Sequence, residues 1–315
     1  MSSQSLFKSL KLPPLGFGAA SISGEGGGYS FGKMSEQEAS SLLKEAREIG
    51  IKLFDSAPIY GFGESERRLG KNFKRVRDEL FYISKCGVTW HQNRRVNMTN
   101  DPKVSLEMLH QSLRDLQTDY IDLYMVHWPD ERVDIRTTLE PLVRAQEVGK
   151  IKYLGLCNTN EDEIKLAQEV AKISVVQNEL NLFSRGSLGL IENISKQQIS
   201  FMSWGTLDKG ILTGTVKKGR SFDSSDCRSW APWWKAIDKD PRYQAVEKMQ
   251  QLLRDTPHTL TSLAIGHNLS IPGVDMVLCG VKNSSQLHSA WEASQLAPNE
   301  ELLAAAKEIC DLNVH

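Results

Sequence analysis

The chain has 315 residues, 40% of them hydrophobic and 24% charged, with a formal net charge of -1. That length is ample for a buried core and suits a single α/β barrel domain over residues 1–315. The near-zero charge excludes a global attraction to nucleic acid or anionic lipid, and no apolar run reaches the roughly 18 residues a spanning helix needs. The densest basic cluster, Lys217–Lys218–Gly219–Arg220, reads as a solvated loop. Five scattered cysteines without a CxxC pair suggest neither a disulfide framework nor a zinc site, so no metal is expected. The N-terminal MSSQSLFKSLKLPP lacks the apolar stretch of a secretory signal, and a cytoplasmic location is expected.

In chain order, the spacing predicts strands over 15–19, 52–55, 82–85, 121–127, 153–157, 174–179, 200–204 and 276–280. Helical patterns lie between them. Ser35 and Glu38 form a capping box at the start of the first. Gly50 and Gly149 mark helix stops, and apolar residues from Val104 to Leu116 recur near a 3.6 period. A last helix over 300–312 would lie outside the barrel. Strictly alternating strand and helix imply a closed parallel (β/α)8 TIM barrel with an extra C-terminal helix and long loops at its C-terminal face. Three long connections stand out: the glycine-rich 24–32, the stretch from 86 to about 102, and the stretch from 205 to about 240. Of the seven tryptophans, all but Trp291 fall at strand ends or in loops, a pattern that suits a pocket lining. Arg228 beside the last aromatic loop reads as an exposed loop arginine, with contact to an anionic substituent as the alternative.

Four proton-transfer residues stand where three successive strands end: Asp55, Tyr60, Lys85 and His127. In a parallel barrel these ends share one face, so the four side chains can converge. A lysine ammonium beside a phenol lowers its pKa, and a carboxylate holds the ammonium in place. The expectation is a tyrosine tuned to exchange a proton near neutral pH.

The segments FDSAPIYGFGESERRLGK (54–71), YISKCG (82–87), DLYMVHWPD (122–130), GKIKYLGLCNTN (149–160) and SVVQNELNLFSR (174–185) resemble the aldo-keto reductases. The likeness is to the branch holding bacterial stress- and inositol-related reductases and the potassium channel beta subunits. It implies a nicotinamide-dependent oxidoreductase interconverting an aldehyde or ketone and its alcohol, a sugar or aromatic carbonyl included. No strand-to-helix GxGxxG of a Rossmann domain is present, in keeping with that. By the resemblance Tyr60 is the general acid/base, Lys85 tunes it, Asp55 orients Lys85 and His127 polarises the carbonyl. Cofactor contacts are implied for Gly18, Asp55, Asn158, Gln177, Trp204, Gly205, Leu207, Lys209, Gly210, Gly280, Lys282 and Gln286. Trp90, Trp128, Trp230 and Trp233 are the substrate candidates. Lys282 and Gln286 match the site for an adenosine 2′-phosphate. Asn283 replaces a second cation, Ser289 and Ala290 replace an acidic-Asn pair, and Thr206 replaces a common Pro. Lys282 favours NADP(H) over NAD(H), the three departures narrow the margin, and NAD(H) or dual use stays open. The partner is a small-molecule carbonyl or alcohol, with neither nucleic acid nor membrane, and the chain is a monomer or small homo-oligomer. The alternatives are a nicotinamide-binding regulatory or partner-docking protein and an NAD-dependent sugar dehydrogenase.

Overall fold

A computed structural model describes residues 5–24 and 28–314. Positions 25–27 of the glycine-rich connection lie outside the described residues. The strands are β1 (Leu15–Gly18), β2 (Leu53–Asp55), β3 (Phe81–Cys86), β4 (Val88–Trp90), β5 (Val96–Met98), β6 (Ile121–Val126), β7 (Ile151–Cys157), β8 (Ile173–Glu179), β9 (Ser200–Trp204) and β10 (Val274–Cys279). The helices are α1 (Leu6–Ser9), α2 (Glu36–Glu48), α3 (Glu64–Phe73), α4 (Pro102–Asp115), α5 (Ile135–Glu147), α6 (Glu161–Gln168), α7 (Leu188–Ser195), α8 (Pro232–Ala236), α9 (Asp240–Leu252), α10 (Leu260–Ser270), α11 (Ser284–Gln295) and α12 (Glu300–Val314). Eight parallel strands close in the order β1-β10-β9-β8-β7-β6-β3-β2. This is the expected (β/α)8 barrel, and its eight strands match the eight sequence segments to within two residues.

Alternation along each strand splits the core in two. Leu53, Ile83, Met125, Val175, Met202 and Met276 fill the barrel interior. Phe54, Tyr82, Tyr124, Leu154, Val176 and Phe201 face the helices. The capping box at Ser35 and Glu38 forms as expected, each side chain bonded to the other residue's backbone N–H. The outer helix, α12, packs on α9 through Ala306, Cys310 and Met249.

Two elements were not foreseen. α1 closes the N-terminal end of the barrel: Phe7 is buried among the interior residues and its N–H donates to Ser200 Oγ at 3.2 Å. The connection after Lys85 is not wholly irregular, because β4 and β5 form an antiparallel hairpin over the opposite mouth.

Candidate active site

Asp55 ends β2, and Tyr60 stands in the tight turn that follows. The turn is closed by Tyr60 N–H to Ala57 O (3.0 Å) and Gly63 N–H to Pro58 O (2.6 Å). Gly61 holds a positive φ of 63°, and a Cβ there would lie 2.5 Å from Ser23 O. Only glycine fits that approach, so Gly61 fixes where Tyr60 points. Lys85 lies on the inward face of β3 and is wholly buried. Its Nζ donates to both Asp55 oxygens at 2.7 Å and to Ser56 O at 2.9 Å. The ammonium sits 5.4 Å from the centre of the Tyr60 ring. His127 follows β6 directly and meets the Tyr60 ring edge-on, with centroids 5.8 Å apart. Its backbone is gripped on both sides, N–H to Cys86 O (2.9 Å) and C=O from Asn158 Nδ2 (2.8 Å). The four residues expected to converge do so.

The charge states refine the expectation. Burial pushes the Tyr60 phenol up to about 12, against the pull of the Lys85 charge and hydrogen bond. Asp55 adds to the rise. The phenol is therefore protonated across the neutral range rather than tuned close to pH 7. The physical reason is that Asp55 neutralises Lys85, so the pair presents little net charge to offset desolvation. Burial also works against the Lys85 ammonium, yet the Asp55 carboxylate wins and the net direction is up. Burial, with the Lys85 charge second, holds His127 well below the usual imidazole range, so it is neutral.

A cavity of about 1530 Å³ opens over this face. Asp55, Tyr60 and His127 line it, while Lys85 lies beneath. Gly18, Asn158, Gln177, Trp204, Gly205, Leu207, Lys209, Gly210, Gly280, Lys282 and Gln286 all line it as well. Gln177 Nε2 donates to Asp55 Oδ2 at 2.9 Å, and Trp204 Nε1 donates to Asn158 Oδ1 at 3.0 Å. One polar chain thus runs from Lys85 through Asp55 to Gln177, and another from His127 through Asn158 to Trp204. Lys209 is paired with Glu179, a lining carboxylate absent from the sequence reading. At the far end Lys282 Nζ donates to Gly32 O (2.9 Å) and Lys33 O (3.0 Å). Gln286 Oε1 accepts from Lys282 N–H, and Asn283 caps α11 by accepting from Gln286 N–H. The groove thus presents, in order, a neutral polar and aromatic end, a glycine-bearing middle and a lysine, which fits a nicotinamide dinucleotide.

Of the four substrate tryptophans, Trp128 and Trp233 line the cavity and Trp90 and Trp230 do not. Trp90 packs edge-on against Phe62, and Trp230 leans on Tyr29 with 40% exposure. Trp90 stands on β4 and packs into the cluster of Ala57, Ile59 and Val88 behind the cavity wall, a placement that depends on the hairpin fold. Tyr29, Ile59, Val88, Val96 and Met98 supply the remaining apolar wall beside Tyr60 and His127. The alternating Val88, Trp90, Val96 and Met98 carried the only signal for them. Arg228 is not an exposed loop arginine: it is mostly buried, ion-paired with Asp226 at 2.6 Å, and its Nη1 donates to Lys209 O at 2.7 Å.

The aldo/keto reductase family model matches residues 14–310. The chain belongs to the aldo/keto reductase family. It is 31% identical over 279 residues to aldo-keto reductase YhdN of Bacillus subtilis, covering 87% of this chain and 84% of that protein. It is 26% identical over 293 residues to the NADH-specific methylglyoxal reductase of Escherichia coli, covering 88% of each chain. A yeast relative from Schizosaccharomyces pombe, aldo-keto reductase yakc [NADP(+)], is 27% identical over 307 residues, 95% of this chain and 89% of that protein. The glycerol dehydrogenase AKR11B4 of Gluconobacter oxydans shares the fold, with a TM-score of 0.84 at 24% identity over 96% of this chain and 93% of that one. This aldo/keto reductase is thus an oxidoreductase of a family that uses nicotinamide cofactors. No helix among its described residues is long and apolar enough to cross a membrane.

Proposed function

We propose that the chain interconverts an uncharged aldehyde or ketone and its alcohol with NADP(H), with Asp55, Tyr60, Lys85 and His127 as the catalytic set. The observation that carries this reading is the wholly buried Lys85, bound to both oxygens of Asp55 directly under Tyr60 and beside His127. When bound, the reduced nicotinamide supplies a hydride to the carbonyl carbon. Tyr60, protonated throughout the neutral range, donates its proton to the oxygen that gains charge. The Lys85 ammonium stabilises the phenolate left behind, because opposite charge lowers its energy in a low-dielectric site. Neutral His127 offers an N–H to the same oxygen without giving the proton up. Asn158 and Gln177 would hold the carboxamide, and Trp204 would meet the ring. Gly18, Gly205, Leu207, Gly210, Gly280 and Lys209 bear on the remainder of the cofactor, and Gln286 orients the backbone of Lys282.

Tyr29, Ile59, Val88, Val96, Met98 and Trp128 give the cavity an uncharged wall, while the charged residues Arg220, Asp223, Asp226 and Arg228, which also line it, come from the long loop after β9. That favours an apolar or aromatic carbonyl. Among the described residues Lys282 forms no salt bridge and its Nζ donates to two backbone carbonyls, which leaves its charge for a 2′-phosphate. Initial rates with benzaldehyde and NADPH or NADH test both points. Lys282→Ala is expected to weaken NADPH binding about ten- to a hundredfold, the worth of a charge-assisted contact, and to leave NADH unchanged. Equal losses for both cofactors would assign Lys282 to the groove in general and remove the basis for NADP(H).

A further inference from the structure

The Asp55–Lys85 pair sits where the sheet ladder runs out. The last register pair between β2 and β3 joins Asp55 to Ile83. Beyond it, residues 84–86 of β3 pair only with β6, through Ser84–Tyr124, Lys85–Met125 and Cys86–Val126. Ser56, whose carbonyl accepts from Lys85 Nζ, lies one residue past the end of β2 and makes the last backbone bond to β3, N–H to Ile83 O at 2.9 Å. The pairing between β2 and β3 therefore ends beside the ion pair.

The first turn of α3 meets both weak points. Ser56 Oγ donates to Ser65 Oγ at 2.9 Å, and Ser65 Oγ donates to Ala19 O at 2.8 Å. Ser84, adjacent to Lys85 and facing the opposite side of the wall, donates from Oγ to Glu66 Oε1 at 2.6 Å. Ser112 of α4 lies 3.2 Å from the same hydroxyl. Glu66 has no exposed surface, and its Oε2 is buried with no hydrogen-bond partner among the described residues. Such a carboxyl costs folding free energy. α3 is pressed inward by close contact at Gly70, where a Cβ would lie 2.5 Å from Asp115 O. Departures from the usual satisfaction of buried polar groups concentrate at functional positions.

We propose that Ser65 and Glu66 are positioning residues for the Asp55–Lys85 pair, Ser65 clamping Ser56 and Glu66 clamping Ser84 from the outer face of the barrel. The proposal rests on the carbonyl-reductase reading above. Neither residue lines the cavity. Each adds a side-chain contact where pairing between β2 and β3 ends.

The test uses the full-length chain and its Ser84→Ala, Glu66→Ala and Glu66→Gln variants with NADPH and benzaldehyde. A displacement of the Lys85 ammonium is expected to lower kcat roughly tenfold or more in the two alanine variants. The dissociation constant of NADPH, read by tryptophan fluorescence, stays as in the parent. Glu66→Gln keeps an oxygen for Ser84 and recovers most of the lost kcat. A parental kcat in both alanine variants, or Glu66→Gln as slow as Glu66→Ala, would overturn the proposal. If the parent chain turns over no carbonyl, it is the reductase reading that fails. The clamp is then read from the 15N signal of the Lys85 ammonium, identified by its loss in Lys85→Met. That signal is expected to shift in the alanine variants and return in Glu66→Gln, and an identical signal in all of them would contradict the clamp.

Discussion

Lys85 carries the most consequence of any residue in the molecule. It has no exposed surface and its charge is met by one carboxylate and one carbonyl. Removing one member of such a buried pair leaves the other uncompensated, which costs about 3–5 kcal/mol. Lys85→Met is therefore expected to lower unfolding free energy by that order as well as to abolish turnover. The double variant Asp55→Asn/Lys85→Met should lose less than the sum of its single changes, because no lone charge remains. Urea unfolding of the four chains measures this, and strict additivity would mean that the two side chains do not act as a unit. At the same scale, the residue types were legible and their states were not. Four chemistry-bearing residues at three strand ends are visible in sequence. The Tyr60 value near 12 depends on burial and on Asp55 cancelling Lys85, which only packing reveals. Arg228 shows the same limit, since its partner Asp226 is two residues away yet its contact with Lys209 O comes from the fold.

Among the elements, the β4–β5 hairpin and α3 each do something their sequences conceal. The hairpin strands are three residues long, too short for alternation to outweigh a loop reading. Even so, they bring Val88, Val96 and Met98 to the wall beside Tyr60. The hairpin is braced by Trp90 against Phe62 and by Arg132 Nη2 donating to Met98 O at 2.6 Å. Met98 is 42% exposed, so a longer side chain there can be accommodated. Met98→Arg is expected to reduce kcat/KM for benzaldehyde with little change in NADPH affinity, and to favour a carboxylate-bearing aldehyde by comparison. An unchanged ratio between the two aldehydes would remove the hairpin from the substrate wall. The start of α3, ESERR, carries only charged or hydroxyl side chains and no local mark of burial. Ser65 and Glu66 are instead fully buried, because α3 is drawn in against α4 and the outer face of β3. Helices with ordinary caps, such as α2 with Ser35 and Glu38, were legible because their signal is local.

At the scale of the whole molecule, the barrel could be read from the order of its segments, since alternation of strand and helix leaves few topologies. The closure by α1 and the second core cluster around α9 and α12 could not, because they depend on contacts between chain ends and distant loops. Glu66 makes the stability of the entire fold pH-dependent. Burial raises its carboxyl from 4.5 to about 7. Between those values the folded chain keeps a proton that the unfolded chain has released, so stability is full below about 4.5 and is lost as pH rises to about 7. At about 1.4 kcal/mol per pH unit, the loss is on the order of 3 kcal/mol. Glu66→Gln cannot ionise, so its advantage over the parent chain should grow by that amount between pH 4.5 and pH 8. Urea midpoints at several pH values check this, and a constant difference would mean that Glu66 does not titrate in that window.

In the proposed reaction Tyr60 passes the proton at a site built on Asp55, Lys85 and His127. The most direct test is the steady-state rate of NADPH-dependent benzaldehyde reduction by the parent chain and by Tyr60→Phe, with NADPH affinity measured in parallel. The account predicts a fall in kcat of about 10²–10⁴-fold, the usual worth of a placed general acid, at unchanged NADPH affinity. Equal rates in the two proteins would contradict it.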